Sequence, residues 1–290
     1  MVVVKLMGGL GNQMFQYAFG RDLATRLNKQ LVLDLDFLLD RSPKDNFVYR
    51  DFDLDLFDLD NYLLFDEKRR EKFFKKSFFN KPPFLYKEKS FNYQDYSTVL
   101  FSKKIYLDGY WQSFKYFKNI ENQLRKEFKF KFPLTQEQFI LQEEIQSKKS
   151  VCINFRRTDF VTIKPAIHTH GVPTMEYYEN ALNYLKDKIG NDIELYVFSD
   201  DIEWCKQNFH TTFPTFFVGH EKYKGERFSS YLQLIKSCKH FIIPNSTFGW
   251  WGAWMGEYKD KVVITPENWF ADNNLQSQTQ DLRPESWICL

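Results

Sequence analysis

The sequence predicts an α/β protein built of two Rossmann-like halves with a cleft between them, and three observations carry that expectation. The first is a short β-branched run, Val2 to Met7, that ends in Gly8-Gly9-Leu10-Gly11, as a buried strand entering a tight turn does. The second is an amphipathic pattern directly after that turn. Met14, Phe15, Tyr17, Ala18, Leu23, Ala24 and Leu27 recur at helical spacing between Gln13 and Leu27, and Leu31 to Asp36 reads as another strand, closing a βαβ unit. The third is the return of the alternation after Phe132-Pro133. A polar helix is expected at Thr135–Lys148, then strands at Val151–Phe155, Ile193–Phe198, Phe213–Val218, His240–Pro244 and Lys261–Thr265. Helices are expected between them, near Thr174–Lys188, Asp201–Asn208, Phe228–Cys238 and Thr247–Gly256. Repeated βα alternation of this kind makes a parallel sheet covered on both faces. The domains are therefore expected at residues 1–148 and 149–290.

Composition narrows the class. Hydrophobic residues make up 43% of the 290-residue chain and charged residues 27%, the mix of a folded protein and not of a disordered one. The net charge of +2 gives no reason to expect a nucleic-acid partner. Cys152, Cys205, Cys238 and Cys289 stand far apart with no CxxC pair, so neither a disulfide framework nor a zinc knuckle is indicated. The N-terminus lacks the basic and apolar regions of a leader peptide, and no apolar run approaches the ~20 residues of a membrane helix. A soluble, cytoplasmic protein is expected. Aromatic residues are abundant at 19%, which suits surfaces for ring-shaped ligands as well as a coding bias.

The middle of the chain is polarised. Residues 34–60 carry nine aspartates against three basic residues, and residues 67–132 carry seventeen Lys and Arg against seven Asp and Glu. Such runs are mostly solvated surface. The basic one is also a candidate face for anionic donors, for acceptors or for lipid headgroups, with peripheral membrane association as a consequence.

Four motifs sit where strands end. Gly9 and Gly11 supply two of the three glycines of a dinucleotide fingerprint, but Met14 occupies the third place; with Asp34 downstream, an NAD(P)-dependent oxidoreductase remains the runner-up. Arg156, Arg157, Thr158 and Asp159 follow a strand, where arginine forks suit phosphate oxygens and Asp159 suits either an orienting or a basic role. Asn245, Ser246 and Thr247 precede a helix, offering hydroxyls and free N–H groups to an anion, or only a helix cap. Asp200 and Asp201 end another strand as candidate acceptors or caps. The Asp34-Leu35-Asp36 and Asp51–Asp55 pairs resemble metal clamps, but no His or Glu joins them.

Together these blocks resemble a family. Gly8 to Ala18, Tyr110-Trp111-Gln112-Ser113, Arg156-Arg157-Thr158-Asp159, Phe198 to Trp204 and Asn245 to Trp254 stand in the order seen in bacterial α-1,2-fucosyltransferases. The resemblance spans residues 8 to about 256. It implies a GT-B fold, with an acceptor-side first domain and a donor-binding second one. The implied reaction is inverting transfer of L-fucose from GDP-β-L-fucose to a galactose 2-hydroxyl, with no metal or other cofactor. The implied acceptor is a galactose-terminated oligosaccharide or lipid-linked glycan, in O-antigen or capsule synthesis. By the same resemblance Arg156 is the main pyrophosphate ligand, helped by Ser246 and Thr247. Asn12 is the loop asparagine at the reacting centre, and Asp200 touches the nucleotide. Gly9, Gly11, Arg157 and Asn245 complete the binding set.

One position departs from the pattern. The family usually has a histidine where this chain has Asn154, and asparagine is no base at neutral pH. Asp159, ahead of His170, is the expected base. A donor with a different GDP-linked deoxysugar is the alternative.

Overall fold

The computed structural model describes residues 1–45, 47–75, 82–158 and 164–290, and divides the chain into two α/β units. The first comprises Met1–Lys131 with Gln278–Pro284, the second Phe132–Ser277 with Glu285–Leu290.

In the first unit, β1 (Val2–Lys5), β2 (Leu31–Asp34), β3 (Leu63–Leu64), β4 (Phe84–Lys87) and β5 (Ile105–Asp108) form a parallel sheet in the order β3-β2-β1-β5-β4. Its helices are α1 (Leu10–Arg26), the single turn α2 (Asp36–Leu39), α3 (Glu67–Phe74) and α4 (Glu121–Glu127). The predicted opening is met: Val2, Val3 and Val4 are wholly buried and α1 is buried on nearly every side, as an interior helix must be. Part of the aromatic content goes into this core. Phe19 of α1 lies 4.5 to 5.2 Å, ring centre to ring centre, from Tyr96, Trp111 and Tyr116. The polarised runs partly neutralise each other inside the unit. Arg70, from the basic run, pairs with Asp34 at 3.1 Å and Asp36 at 2.7 Å, and Tyr106 donates to Asp34 at 2.7 Å.

In the second unit, β6 (Ser150–Phe155), β7 (Glu194–Ser199), β8 (Thr215–Phe217), β9 (His240–Ile242), β10 (Val263–Thr265) and β11 (Ile288–Cys289) form a parallel sheet in the order β11-β10-β9-β6-β7-β8. Around it run α5 (Gln136–Ser147), α6 (Lys164–His170), α7 (Met175–Ile189), α8 (Ile202–Asn208), α9 (His220–Tyr223), α10 (Ser229–Lys236), α11 (Thr247–Met255) and α12 (Asn273–Gln276). Local signals set most boundaries. Thr135 and Gln138 form a reciprocal capping box on α5, and Thr174 caps α7. The predicted strand from Lys261 starts only at Val263, because Lys261 turns its ammonium onto the closing carbonyls of α11 at Ala253, Trp254 and Gly256.

The two units divide after Lys131, whereas the sequence expectation placed the boundary at residue 148. Helix α5 belongs to the second unit, where Gln142 donates to Ser237 and Gln138 to the Lys222 carbonyl. Residues 278–284 return to the first, where Asp281 accepts from Ser113 and Tyr93 and pairs with Lys115. No sequence pattern marks either crossing, since both depend on which distant residues a polar segment meets. All four cysteines are free thiols, and burial pushes Cys205 up to about 12 and Cys152 well above the usual range.

Candidate active site

Each sheet has one place where strand order reverses. In open parallel sheets this is where a crevice opens beyond the strand C-termini and where ligands bind. In the second unit the reversal lies between β6 and β9: β7 and β8 continue to one side, β10 and β11 to the other. The predicted arginine loop leaves β6 there, and the predicted Asn245-Ser246-Thr247 turn leaves β9.

The arginine loop is built around one carboxylate. Asp200, at the end of neighbouring β7, accepts from Arg157 N–H at 2.8 Å through Oδ1. Through Oδ2 it accepts from Thr158 N–H at 3.2 Å, Thr158 Oγ1 at 2.5 Å and Arg156 Nη1 at 2.9 Å. Asp200 thereby orders the loop and aims Arg156. Arg157 lays its guanidinium 3.5 Å over the Trp204 ring, a cation–π seat, and its buried Nε has no partner among the described residues. Arg156 keeps 24% of its side-chain surface exposed. Asp201 is a helix cap, as one of its two readings had it, accepting from Trp204 N–H.

Across the reversal, α11 presents its N-terminus. Ser246 stands in the cap position but its hydroxyl makes no capping bond, unlike Asp201, Thr174 and Thr135 on their helices. The cap reading of Ser246 therefore fails. The first N–H groups of α11 have no partner within the helix, and the helix dipole adds positive potential. The helix is anchored by tryptophan packing: Trp250 and Trp251 are fully buried, their centres 5.0 Å apart, with Trp287 5.2 Å from Trp250. Asn245 is buried. Its Nδ2 donates to the His170 and Trp269 carbonyls at 2.8 and 3.1 Å, while its Oδ1 has no partner among the described residues. The His170 backbone is thereby tied to the same turn, and its ring packs 5.4 Å from Phe270. Asp159 lies outside the described residues.

Asn154 has a plain structural role. It is buried, donates to the Phe198 carbonyl at 3.2 Å, and packs under α11 so closely that a Cβ on Gly249 would stand 2.6 Å from its Oδ1. The side chain hydrogen-bonds and, as an amide, takes up no proton at neutral pH.

In the first unit the reversal lies between β1 and β5. The glycine loop leaves β1 through Gly8, at φ +74°, and Gly9, which heads α1. Two buried glutamines of α1 fix it: Gln16 accepts from Met7 N–H at 3.0 Å, and Gln13 donates to the Gly8 and Asp51 carbonyls at 2.9 and 2.8 Å. Gly11 lies in the first turn of α1, so Gly9 and Gly11 supply backbone where Asn12 supplies a side chain. Asn12 Oδ1 accepts from Gln112 Nε2 at 2.9 Å, across the reversal.

Sequence reasoning assigned no role to Gln112 or Glu88. Glu88, just past β4, accepts from the N–H groups of Tyr110 at 2.7 Å and Trp111 at 2.8 Å. Its burial pushes the carboxyl up to about 7, against the pull of those two amides. A single acid between Lys87 and Lys89 looks like solvated surface, so no local signal identified it. Of the paired aspartates, Asp34 and Asp36 hold Arg70.

The second unit is thus a doubly wound α/β unit with an arginine loop and a helix N-terminus lacking a side-chain cap at its strand reversal, the class of fold on which group-transfer enzymes are built. The chain belongs to Glycosyl transferase family 11, whose family model matches residues 1–290, and it is a glycosyltransferase. It is 32% identical to the Alpha-1,2-colitosyltransferase of Escherichia coli over 99% of this chain and 98% of that protein. It is also 32% identical to the O-antigen biosynthesis glycosyltransferase WbnK of Escherichia coli, over 98% of this chain and 99% of that one. Among solved structures, an Arabidopsis thaliana FUT1 mutant in complex with GDP matches with a TM-score of 0.51 at 12% identity, covering 99% of this chain and 75% of that one. The expected GT-B type of fold and the expected family are thus met, and the oxidoreductase reading is withdrawn. No helix among the described residues is long and apolar enough to cross a membrane.

Proposed function

We propose that this chain transfers L-fucose from GDP-β-L-fucose to the 2-hydroxyl of a terminal galactose, with inversion and without a metal. The observation that carries the reading is the second unit's crevice, where Arg156, aimed by Asp200, and the uncapped N-terminus of α11 flank the strand reversal. A leaving nucleoside diphosphate needs such a pair, because its charge grows as the glycosidic bond breaks. The acceptor oxygen attacks C1, the C1–O bond to the diphosphate breaks, and the electron pair leaves with GDP. Arg156, Ser246 and Thr247 receive that charge. The acceptor proton passes to a base, for which the sequence offers Asp159 and His170.

A second reading keeps the site and changes the sugar. A relative of nearly the same length is named for colitosyl transfer, which makes GDP-colitose the competing donor. The acceptor in either case is a galactose-terminated oligosaccharide or lipid-linked glycan of a surface polysaccharide. We place the reaction at the cytoplasmic side of the membrane, with the protein bound peripherally.

The test is GDP release from GDP-fucose and from GDP-colitose, with and without lactose, in EDTA, followed by NMR of the product. Lactose-dependent release from GDP-fucose with an α-1,2 linkage is the expected result. Preferential turnover of GDP-colitose moves the donor to the second reading. Loss of release in EDTA, restored by a divalent cation, overturns metal independence. Failure to bind GDP at all overturns the assignment of the crevice.

A further inference from the structure

Two side-chain amides meet at the strand reversal of the first unit, and their hydrogen bonding is incomplete in a specific way. Gln112 is only 6% exposed, yet its Oε1 has no partner among the described residues. Its Nε2 is spent on Asn12 Oδ1, and among the described residues Asn12 Nδ2 donates no hydrogen bond. A buried acceptor left unpaired costs about 1–3 kcal/mol, so it is retained where a ligand completes it. Two atoms of the bonded pair, the acceptor Gln112 Oε1 and the donor Asn12 Nδ2, are thus without a partner among the described residues. Exchanging O for N in both amides preserves that count, so the conclusion does not depend on how the amides are oriented. A donor and an acceptor carried by one hydrogen-bonded amide pair complement a hydroxyl group, which is itself both.

The loop carrying Gln112 is held with care. Trp111 adopts a left-handed backbone at φ +57°, a conformation costly for a bulky residue. The Glu88 carboxylate takes the Tyr110 and Trp111 N–H groups, one on each oxygen. Ser113, the next residue, is tied to the Asp281 carbonyl at 2.8 Å. Gln112 is therefore fixed on both sides, and a functional contact is a sufficient reason to maintain a strained residue next to it.

We propose that the Asn12–Gln112 pair receives one hydroxyl of the acceptor galactose, and that Glu88 is the positioning residue that holds Gln112 in place. This rests on the galactoside-acceptor reading above and goes beyond it by naming the residues that select the sugar. A site built to hydrogen-bond a hydroxyl rejects the analogue lacking it far more strongly than an apolar pocket rejects a methylene.

The experiment is ligand-observed NMR titration of methyl β-galactoside and its 3-, 4- and 6-deoxy analogues, which requires no turnover, followed by acceptor kinetics on the same series. The wild type is expected to bind one deoxy sugar at least tenfold more weakly than the parent. Gln112→Ala should bind the parent about as weakly as the wild type binds that analogue, and should no longer distinguish the two, with GDP affinity and Tm unchanged. Glu88→Gln should raise acceptor KM with little effect on GDP affinity, and should add nothing in the Gln112→Ala background. If Gln112→Ala keeps the full discrimination, or if Glu88→Gln and Gln112→Ala effects multiply independently, the proposal is wrong. If the wild type binds GDP but no galactoside, the acceptor class falls and the proposal with it. Failure to bind GDP instead sinks the donor reading while leaving the NMR result interpretable.

Discussion

The two strand reversals share a topology and differ in chemistry. That of the second unit is dense in charge: two arginines, the carboxylate that aims one of them, and an uncapped helix end. That of the first unit is built of amides. Gln13 and Gln16 fix its glycine loop, and the Asn12–Gln112 pair bridges it. A dianionic diphosphate requires fixed positive charge and free N–H donors, whereas a neutral sugar is recognised by hydrogen bonds that match its hydroxyls. On the reading proposed above, the same doubly wound plan serves a charged ligand in one unit and a neutral one in the other, through the residues placed at the strand ends.

The largest expected effect breaks that comparison at its charged side. Arg156→Lys should lower GDP affinity and transfer by about 100-fold, since an ammonium cannot reproduce a planar fork toward phosphate. Asn12→Ala should instead lower kcat while leaving GDP affinity unchanged, measured by calorimetry beside steady-state kinetics. Equal losses of GDP affinity in both variants would erase the distinction between the units.

The pH dependence of stability should separate the units next. Glu88 titrates near 7 in the folded chain and near 4.5 when unfolded, so its contribution is present below 4.5 and is lost as pH rises to about 7. His240 runs the other way. Burial lowers it to about 4, and its Nδ1 accepts from Val262 N–H, which requires the neutral ring. Its contribution is present above 6.5 and is lost as pH falls toward 4. At ~1.4 kcal/mol per pH unit, each group is worth on the order of 3 kcal/mol across its window. Chemical denaturation from pH 4 to 8 should show the first limb flattened in Glu88→Gln and the second in His240→Gln.

Smaller effects sharpen the contrast between a cap and a ligand. Asp201→Ala should cost about 1 kcal/mol of stability and leave GDP binding intact, because Asp201 caps α8. Ser246→Ala should leave Tm unchanged and weaken GDP binding several-fold, because its hydroxyl caps nothing. Smallest of all, added salt should weaken GDP binding and leave galactoside binding unaffected.

Much of this architecture was legible in the residues. The βα alternation of the second half, the opening strand and glycine turn, and the strand-end arginines follow from periodicity and turn chemistry, which act over a few neighbours. The weak strands β3 and β4 were not legible, because edge strands with exposed residues such as Leu64 and Leu85 carry no buried-face pattern. Nor was the division of labour among the acids. Asp34, Asp200 and Asp201 all stand at or just past strand ends, yet one holds Arg70 and Tyr106, one aims Arg156 and one caps a helix.

The family, the reaction class and the arginine loop were thus set by local residue order, because phosphate chemistry and tight turns need particular residues side by side. The partner of each acid, the bond between Asn12 and Gln112 a hundred residues apart, and the buried state of Glu88 were decided only by folding. Electrostatics and hydrogen bonding depend on distance and desolvation, and those exist only once remote segments have been brought together.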